Sequence, residues 1–285
     1  MSHPFPFRQI GDFLVTALSD GKMLASLDLL SGINKSDAHS IQSHAGITEP
    51  GDIHINGYLI QGLGRTILVD TGTGSLNNTA GQLNIHLAAV GVRPDDVDTV
   101  LLTHCHPDHI GGLLDSAKQP VFKQADIMLH PLEAQYWRDD DNRNKANERG
   151  QRNIDLVRFT LDTYEGQVRF LNDEKIVAGI LPVWLPGHTP GHTGFLLYGE
   201  EQSLLIWGDI VHYPHIQSAQ PAVSILFDVD SIQAEETRRN IMEKAVSEKL
   251  VIGGMHLSQA GFARVLRKGR GYCIDYAENN EQDVT

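Results

Sequence analysis

The sequence predicts an α/β fold with a two-layered sheet core and helices on the outside. Short apolar segments that lead into polar, glycine-containing loops and then into helical patterns occur twice along the chain. This rhythm suits two sheets that are covered by helices. The chain has 285 residues, of which 41% are hydrophobic and 21% are charged, so it can bury a full core. Because no linker and no short-period repeat interrupts it, we expect one domain over residues 1–285.

The first half of the chain supplies the first set of predicted elements. Alternating apolar and polar residues predict three strands, at 10–20, 53–61 and 66–69. The last two are joined by Gly62-Leu-Gly64, so we expect a hairpin. A helical pattern follows at 81–89, and the apolar strand 97–102 leads directly into a histidine-rich loop. Loops at strand ends are typical catalytic segments, because the rigid sheet positions them.

The second half repeats the pattern after a long polar segment. Residues 131–163 are mostly helical and polar, and we expect a helical lid inserted at about 131–165. Within it, Tyr136 and Trp137 either line a substrate cleft or pack in the core. The charged run 138–152 is either a solvated helix face or part of the mouth of the site. In the remaining chain we predict a helix at 230–248 and strands at 126–130, 194–198, 203–207 and 250–252. Residues 168–183 are expected to form strands and turns.

Charge and composition exclude several classes of partner. With 36 acidic and 23 basic residues the formal net charge is −13, whereas nucleic acids and anionic membranes require a basic surface. We therefore expect a small-molecule substrate, no nucleic acid and no membrane, and we leave a homodimer open. No signal sequence or bilayer-spanning apolar run is present, so we expect a cytoplasmic protein. Cys105 and Cys273 form no disulfide framework.

Histidine and aspartate side chains recur in a pattern that predicts a metal site. Each group follows a predicted strand and is flanked by glycine, and the set is His104, His106, Asp108, His109, His188, Asp209 and His256. Imidazole and carboxylate are the ligands that Zn, Fe, Co and Mn accept. In an extended segment His104 and His106 point the same way, whereas Asp108 and His109 lie beyond Pro107 and indicate a second metal. Capping or core packing would explain any one of the seven, but not all of them together.

The motifs THCHPDHIGG, LPGHTPGH, WGDIVH and GGMH resemble the successive ligand motifs of the metallo-β-lactamase-fold hydrolases, in the same order. The resemblance covers roughly residues 10–272. It implies a four-layered αββα sandwich with the metals at one edge. It also implies that His104, His106 and His188 hold one metal and that Asp108, His109 and His256 hold the other, bridged by Asp209. His192 matches no metal position and is expected to be structural, Asp70 is expected to support the ligand loop, and Cys105 is expected to be buried.

This ligand set predicts hydrolysis. Two divalent ions, with zinc as the first expectation and Mn, Fe or Co as alternatives, lower the pKa of a bridging water and generate hydroxide at neutral pH. They also polarise the carbonyl or phosphoryl oxygen that is attacked. Asp108 or Asp209 is then the candidate that moves the proton to the leaving group.

Within the superfamily, the chain resembles the methyl-parathion-hydrolase-like and acyl-homoserine-lactone-lactonase-like branch, notably in IGDFLVTALSDG (10–21), in 237–256 and in GRGY (269–272). The resemblance implies a small lactone, ester or phosphotriester as substrate. His212 stands where lactonases often have a tyrosine, so it is a candidate catalytic proton donor or a loop anchor.

Three other functions stay open. A glyoxalase-II-like thioesterase requires a basic C-terminal region, and a small basic cluster is present at Arg264, Arg267, Lys268 and Arg270. An iron-dependent sulfur dioxygenase would bind one iron and consume oxygen. A metal-binding regulator with little turnover is disfavoured by the intact ligand set.

Overall fold

Strands and helices alternate along the part of the chain that the structure, a computed structural model, describes: residues 4–172 and 176–276. The strands up to residue 170 are β1 (Phe7–Ile10), β2 (Phe13–Met23), β3 (Leu30–Ser31), β4 (Ile53–Gly62), β5 (Arg65–Val69), β6 (Thr99–Leu101), β7 (Asp126–Leu129) and β8 (Val168–Phe170). The helices in the same stretch are α1 (Lys35–His44), α2 (Leu83–Ala89), α3 (Pro107–Ile110), α4 (Pro131–Arg138), α5 (Asp140–Lys145) and α6 (Glu148–Thr163).

The second stretch contributes the remaining elements. Its strands are β9 (Ile180–Trp184), β10 (Thr193–Leu197), β11 (Leu204–Ile206), β12 (Ser224–Ile225), β13 (Val251–Gly253), β14 (Phe262–Lys268) and β15 (Gly271–Asp275). Its helices are α7 (Pro214–Ala219) and α8 (Ser231–Ser247). Of the predicted strand region 168–183, residues 173–175 lie outside the described residues. No helix in the described ranges is long and apolar enough to span a membrane.

The strands form two large mixed sheets. The first has the order β1-β2-β4-β5-β6-β7-β8, antiparallel as far as β5 and parallel from β5 to β8. The second has the order β15-β14-β13-β11-β10-β9, with β11 and β13 parallel and the other neighbours antiparallel. Short β3 and β12 pair separately.

The predicted hairpin 53–61/66–69 is confirmed, with Gly62 opposite Arg65 in the register of β4 and β5. The two residues between them, Leu63 and Gly64, both have positive φ, at 49° and 73°. Positive φ at both central positions belongs to the turn type whose twist matches that of paired strands. Leu63 therefore carries a conformation that glycine adopts more easily.

Successive residues of the central strands point to opposite layers, and both layers are apolar. In the first sheet Leu59 and Leu68 pack with residues of α2 and α6, whereas Ile60 and Ile67 face the second sheet. In the second sheet, Leu196 and Leu205 pack on the other side against Ile241 and Met242 of α8, while Phe195, Leu197, Leu204 and Ile206 face the first sheet. Because side chains of a strand alternate between its two faces, the two sheets form three apolar interfaces: one between the sheets and one between each sheet and its helices. The result is the expected four-layered αββα sandwich.

Helices α4 to α6 cover the outer face of the first sheet beside the histidine-rich loop. Their buried residues, which include Trp137, Ile154 and Val157, join the core cluster that also contains Cys105. Their exposed residues form surface ion pairs between the helices, such as Arg143–Asp155 and Arg138–Asp162. The charged run 138–152 is therefore largely a solvated helix face. Cys105 is buried, as expected.

The helix α1 and the hairpin β14–β15 were not predicted. The helix sequence, KSDAHSIQSH, is mostly polar, and only Ala38 and Gln42 are buried, so the apolar periodicity that indicates a helix is weak. Its best local signal is Asn34, whose side chain caps the helix by accepting a hydrogen bond from the Asp37 N–H. The hairpin carries Arg267, Lys268 and Arg270 of the basic cluster at its exposed turn, whereas Arg264 is partly buried in β14.

Truncation of Phe195 tests the interface between the two sheets. The ring is fully buried in the cluster that both sheets share, so Phe195→Ala should lower the free energy of unfolding by about 3–5 kcal/mol in urea denaturation. Phe170 on the edge strand β8 is 57% exposed, and Phe170→Ala is the matched control, with an expected change of less than about 1 kcal/mol. Equal losses in the two variants would contradict the layer assignment.

Candidate metal centre

Three imidazole groups converge at one point beyond the strand ends. His104 Nε2 lies 2.9 Å from His106 Nδ1, and His106 Nδ1 lies 2.9 Å from His188 Nε2. The rings of His104 and His106 are nearly perpendicular, with an interplanar angle of 87°. The first two residues follow β6, and His188 comes from the loop between β9 and β10. Three ring nitrogens at this spacing could hold one divalent metal ion.

A second group of three side chains lies beside the first. Pro107 begins the single turn of α3, which directs Asp108 and His109 away from His106. Asp108 Oδ2 lies 3.7 Å from His109 Nε2 and 3.7 Å from His256 Nε2. Asp108 does not cap the helix, because the N-cap residue is His106. This group could hold a second ion.

The Asp209 carboxylate lies between the two groups. Its Oδ2 is 3.7 Å from His104 Nε2 and 3.4 Å from His188 Nε2 in the first group. The same oxygen is 3.2 Å from His109 Nε2 and 3.0 Å from His256 Nε2 in the second group. Asp209 Oδ1 is buried and has no hydrogen-bond partner among the described residues. A buried carboxylate oxygen without a donor fits a position that a cation completes.

The pKa values of the cluster reflect burial and the two carboxylates. Burial, together with the neighbouring imidazoles, lowers the pKa values of His104 and His106 well below the ordinary value, so both rings are neutral and can act as ligands. Burial acts in the same direction on His109 and His256, but Asp209 and Asp108 together, with Asp70 beside His109, outweigh it and raise both pKa values. Burial opposes ionisation of Asp209, but His109, His256 and His104 hold its pKa well below its usual range. A metal ion would therefore replace protons at the second group.

His192 positions Asp209 through the backbone. Its Nε2 accepts a hydrogen bond from the Asp209 N–H at 2.9 Å, and its Nδ1–H donates to the Leu185 carbonyl at 2.8 Å. A Cβ on Gly208, which has a φ of +59°, would lie 2.2 Å from His192 Nε2. Burial lowers the pKa of His192 to about 3, so the ring stays neutral and its Nε2 stays an acceptor. His192 lies outside the groups of converging metal-ligand atoms.

Asp70 lies beneath the histidine-rich loop, at the end of β5. Its Oδ2 accepts hydrogen bonds from His109 Nδ1–H at 2.6 Å and from the Thr103 hydroxyl at 2.7 Å. Its Oδ1 accepts from the Thr103 N–H at 2.8 Å. Asp70 has a φ of +56°, which an L-residue adopts at an energetic cost. The carboxylate thus orients the His109 ring and ties it to the strand end.

Two further residues that orient the ligands were missed from the sequence. His188 Nδ1–H donates to Asp228 Oδ1 at 2.9 Å, and His256 Nδ1–H donates to the His54 carbonyl at 2.8 Å. Asp228 Oδ2 lies 3.6 Å from Arg238 Nη2, and both side chains are buried. Arg238 also donates to the carbonyls of Ile210, Pro221 and Val223. Asp228 is 40 residues from His188, so no local spacing could have indicated the contact.

His212 lies beside the cluster. Its Nε2 is 3.2 Å from Asp209 Oδ2, and its ring stacks on His256 with the centroids 4.8 Å apart. Burial lowers its pKa to about 4. Its backbone N–H donates to Gln217 Oε1 at 2.6 Å. The backbone therefore anchors the loop while the side chain faces the candidate metal site.

Of the two aromatic residues of α4, Trp137 reaches the cluster. Its ring lies edge-on to His106 with the centroids 5.5 Å apart, and it is only 4% exposed. Tyr136 is partly buried, and its ring packs against the ring of Trp137. Trp137 is thus both a core residue and a neighbour of the first histidine group.

Comparison with known families identifies the chain. The family model described as the metallo-beta-lactamase superfamily matches residues 50–254, which is more than half of the 285 residues. The chain belongs to this superfamily. The match includes six of the seven predicted metal ligands. The seventh, His256, lies two residues beyond its end.

Individual relatives agree with this membership. An N-acyl homoserine lactonase of Bacillus cereus is 27% identical over 120 residues, and the match spans 42% of this chain and 40% of that protein. The solved structure of AbOPH, a hydrolase of the β-lactamase superfamily, has a TM-score of 0.89 and 26% identity and covers 96% of this chain and 98% of its own. That of AidC, a dizinc quorum-quenching lactonase, has a TM-score of 0.88 and 24% identity, with 95% and 96% covered. These findings confirm the expected fold and support the expected class, a metal-dependent hydrolase.

Neutralisation of Asp228 tests the buried pair behind His188. Burial opposes ionisation of Asp228, but the hydrogen bond and charge of His188, with smaller contributions from His212 and Arg238, hold its pKa below the ordinary value. Asp228→Asn leaves Arg238 buried without a counter-charge, so the metal-free protein should lose about 3 kcal/mol of unfolding free energy at pH 7. A carboxyl with a depressed pKa stabilises above its unfolded pKa, so the difference should shrink below about pH 4.

The control for this prediction is the exposed pair Arg143–Asp155, whose side chains are 35% and 52% exposed. Asp155→Asn should cost less than about 1 kcal/mol, because solvent screens the interaction. Urea denaturation of the two variants and the parent, with the metal removed by a chelator, measures both effects. If the two substitutions cost the same, the buried pair does not stabilise the fold.

Proposed function

We propose that the protein is a dinuclear metal-dependent hydrolase of small lactones, esters or phosphotriesters. His104, His106 and His188 would hold one ion, and Asp108, His109 and His256 would hold the other. The observation that carries the proposal is the position of Asp209 Oδ2, which lies within 3.7 Å of ring nitrogens in both groups. A carboxylate in this position can bridge two ions, and the imidazoles of the two groups, with Asp108, supply the remaining donors. Zinc is the first expectation for both positions.

Two bound ions would supply hydroxide from water at neutral pH and polarise the carbonyl or phosphoryl oxygen of the substrate. The chain itself supplies orientation and proton movement. Asp70 and Asp228 accept from the Nδ1–H groups of His109 and His188, so each of these rings turns its Nε2 toward the centre. Asp108, with a side chain that is 17% exposed, is the carboxylate of the cluster that can exchange a proton with solvent and pass it to a leaving group. No serine or cysteine nucleophile is needed.

The relatives favour lactones among the candidate substrates. N-acyl homoserine lactonase is the activity named for the curated relative, and AidC is named a lactonase. A net charge of −13 disfavours polyanionic substrates. We further propose that α4 to α6 form one wall of the cleft, because Trp137 contacts His106. A panel of lactones, esters, thioesters and phosphotriesters, with oxygen consumption measured in parallel, separates this function from a thioesterase and from a dioxygenase.

Removal of Asp209 tests the dinuclear centre. The purified parent should hold about two divalent ions per chain, lose activity on chelation and regain it with Zn, Mn or Co. Asp209→Ala should lower both the metal content and the activity, because both ions lose the shared carboxylate. Asp155→Ala, on the exposed surface of α6, should change neither. Two ions retained by Asp209→Ala in metal analysis would refute the bridging assignment.

Replacement of His212 tests whether this residue takes part in the reaction. If its Nε2–H donates to the substrate carbonyl or leaving oxygen, His212→Ala should keep both ions and lose roughly ten- to a thousandfold in kcat. His212→Tyr should retain part of the activity and favour lactones. His215→Ala is the control, because His215 lies three residues further along, at the start of α7, and its ring contacts Tyr276 instead of Asp209. A fully metallated His212→Ala with the parental kcat on every substrate would make His212 a loop anchor.

A further inference from the structure

Glu133 is a fully buried carboxylate in the first turn of α4. Four donors satisfy it: the Cys105 N–H at 2.9 Å, the Trp137 indole N–H at 2.6 Å, the Thr189 hydroxyl at 2.6 Å and the Gly191 N–H at 3.1 Å. None of these four hydrogen-bond donors belongs to a candidate metal ligand. No local sequence pattern marks Glu133, because its partners other than Trp137 lie 28 and 56–58 residues away.

The two oxygens of Glu133 serve different segments. Oε1 accepts from Cys105, the residue between His104 and His106, and from Trp137. Oε2 accepts from Thr189 and Gly191, which lie one and three residues after His188. One planar carboxylate therefore connects the two segments that carry the first histidine group, and the separation of its oxygens sets how far apart those segments lie.

The packing around Glu133 supports this connection. A Cβ on Gly191 would lie 2.3 Å from the Glu133 backbone nitrogen, so only glycine lets this loop approach the start of α4. On the other side, the indole that donates to Glu133 lies edge-on to His106. The carboxylate is thus tied to the histidine group by the backbone on one side and by an aromatic ring on the other.

We propose that Glu133 is a positioning residue that sets the spacing of His104, His106 and His188, and so the affinity of the first metal position. The proposal rests on the dinuclear site proposed above. It makes Glu133 act through the backbone of the ligand segments, whereas Asp70 and Asp228 act on ligand rings. Groups outside the ligand sphere that orient the ligands commonly change metal affinity by about 10- to 100-fold.

Glutamine cannot replace Glu133 in this role. The amide has the same shape, but it offers one acceptor oxygen, and its NH₂ group would face two of the existing donors. The Thr189 hydroxyl can rotate and accept from the amide, but the N–H groups of Cys105 and Gly191 cannot. One of the two ligand segments must then lose a backbone hydrogen bond, and a buried donor left without an acceptor drives that segment away.

The test is the affinity of the whole protein for Zn²⁺, measured by chelator competition for both ions. In Glu133→Gln, one of the two dissociation constants should rise by about 10- to 100-fold while the other stays within about threefold. Thr189→Val, which removes one donor, should weaken the same ion by a smaller factor, and Thr189→Ser, which keeps the hydroxyl, should restore the parental value. The Thr189 pair tests the proposal even if Glu133→Gln does not fold.

Asp20 provides the matched control. It is also a fully buried carboxylate, and it accepts from the Thr73 N–H and hydroxyl and from the N–H groups of Gly81 and Leu83. Asp20→Asn should lower thermal stability without weakening the ion that Glu133→Gln weakens. A parent that binds fewer than two ions would refute the dinuclear function. Folded Glu133→Gln with both affinities unchanged, or Asp20→Asn with the same loss, would overturn the role of Glu133.

Discussion

The buried negative charge of Asp209 is the constraint on which the rest of the site depends. Its side chain is 2% exposed, and a carboxylate withdrawn from water requires compensating charge or hydrogen bonds. Oδ2 lies near four imidazole nitrogens that belong to the two histidine groups. The imidazoles in turn need fixed orientations to serve as donors to a cation. The contacts described at this end of the sandwich either compensate the charge of Asp209 or orient the imidazole rings.

The fold brings these groups together because the parallel strands of each sheet end at the same edge. β5 and β6 are parallel in the first sheet, and Asp70 and the histidine-rich loop follow them directly. β11 and β13 are parallel in the second sheet, and Asp209 and His256 follow these strands. The two apolar faces packed between the sheets hold both edges in place. The core between the sheets therefore fixes the strand ends, and the loops that follow them carry the functional side chains.

Features that depend on residues close together in the sequence were predictable, and features that depend on distant residues were not. The cluster at 104–109 was predictable because ligand spacing is local, and the hairpin of β4 and β5 was predictable from its glycine turn. Asp228 and Glu133 were not, because each contacts residues 28 to 58 positions away and carries no motif of its own. Arg238 lies among the polar residues of α8, and its side chain is nevertheless only 1% exposed. Polar contacts between residues distant in sequence depend on how the layers pack, and composition and local motifs do not specify that packing.

The carboxylates that surround the ligands act in two ways: Asp70 and Asp228 bind ligand rings, and Glu133 binds the backbone of the ligand segments. Asp70 and Asp228 accept from the Nδ1–H groups of His109 and His188, which settles the tautomer of each ring and leaves Nε2 for the centre. His256 reaches the same state through the carbonyl of His54. His106 differs, because it presents Nδ1 and not Nε2 to its partners. Its ring lies against Trp137, so its position depends on backbone placement and aromatic packing, and both of these converge on Glu133.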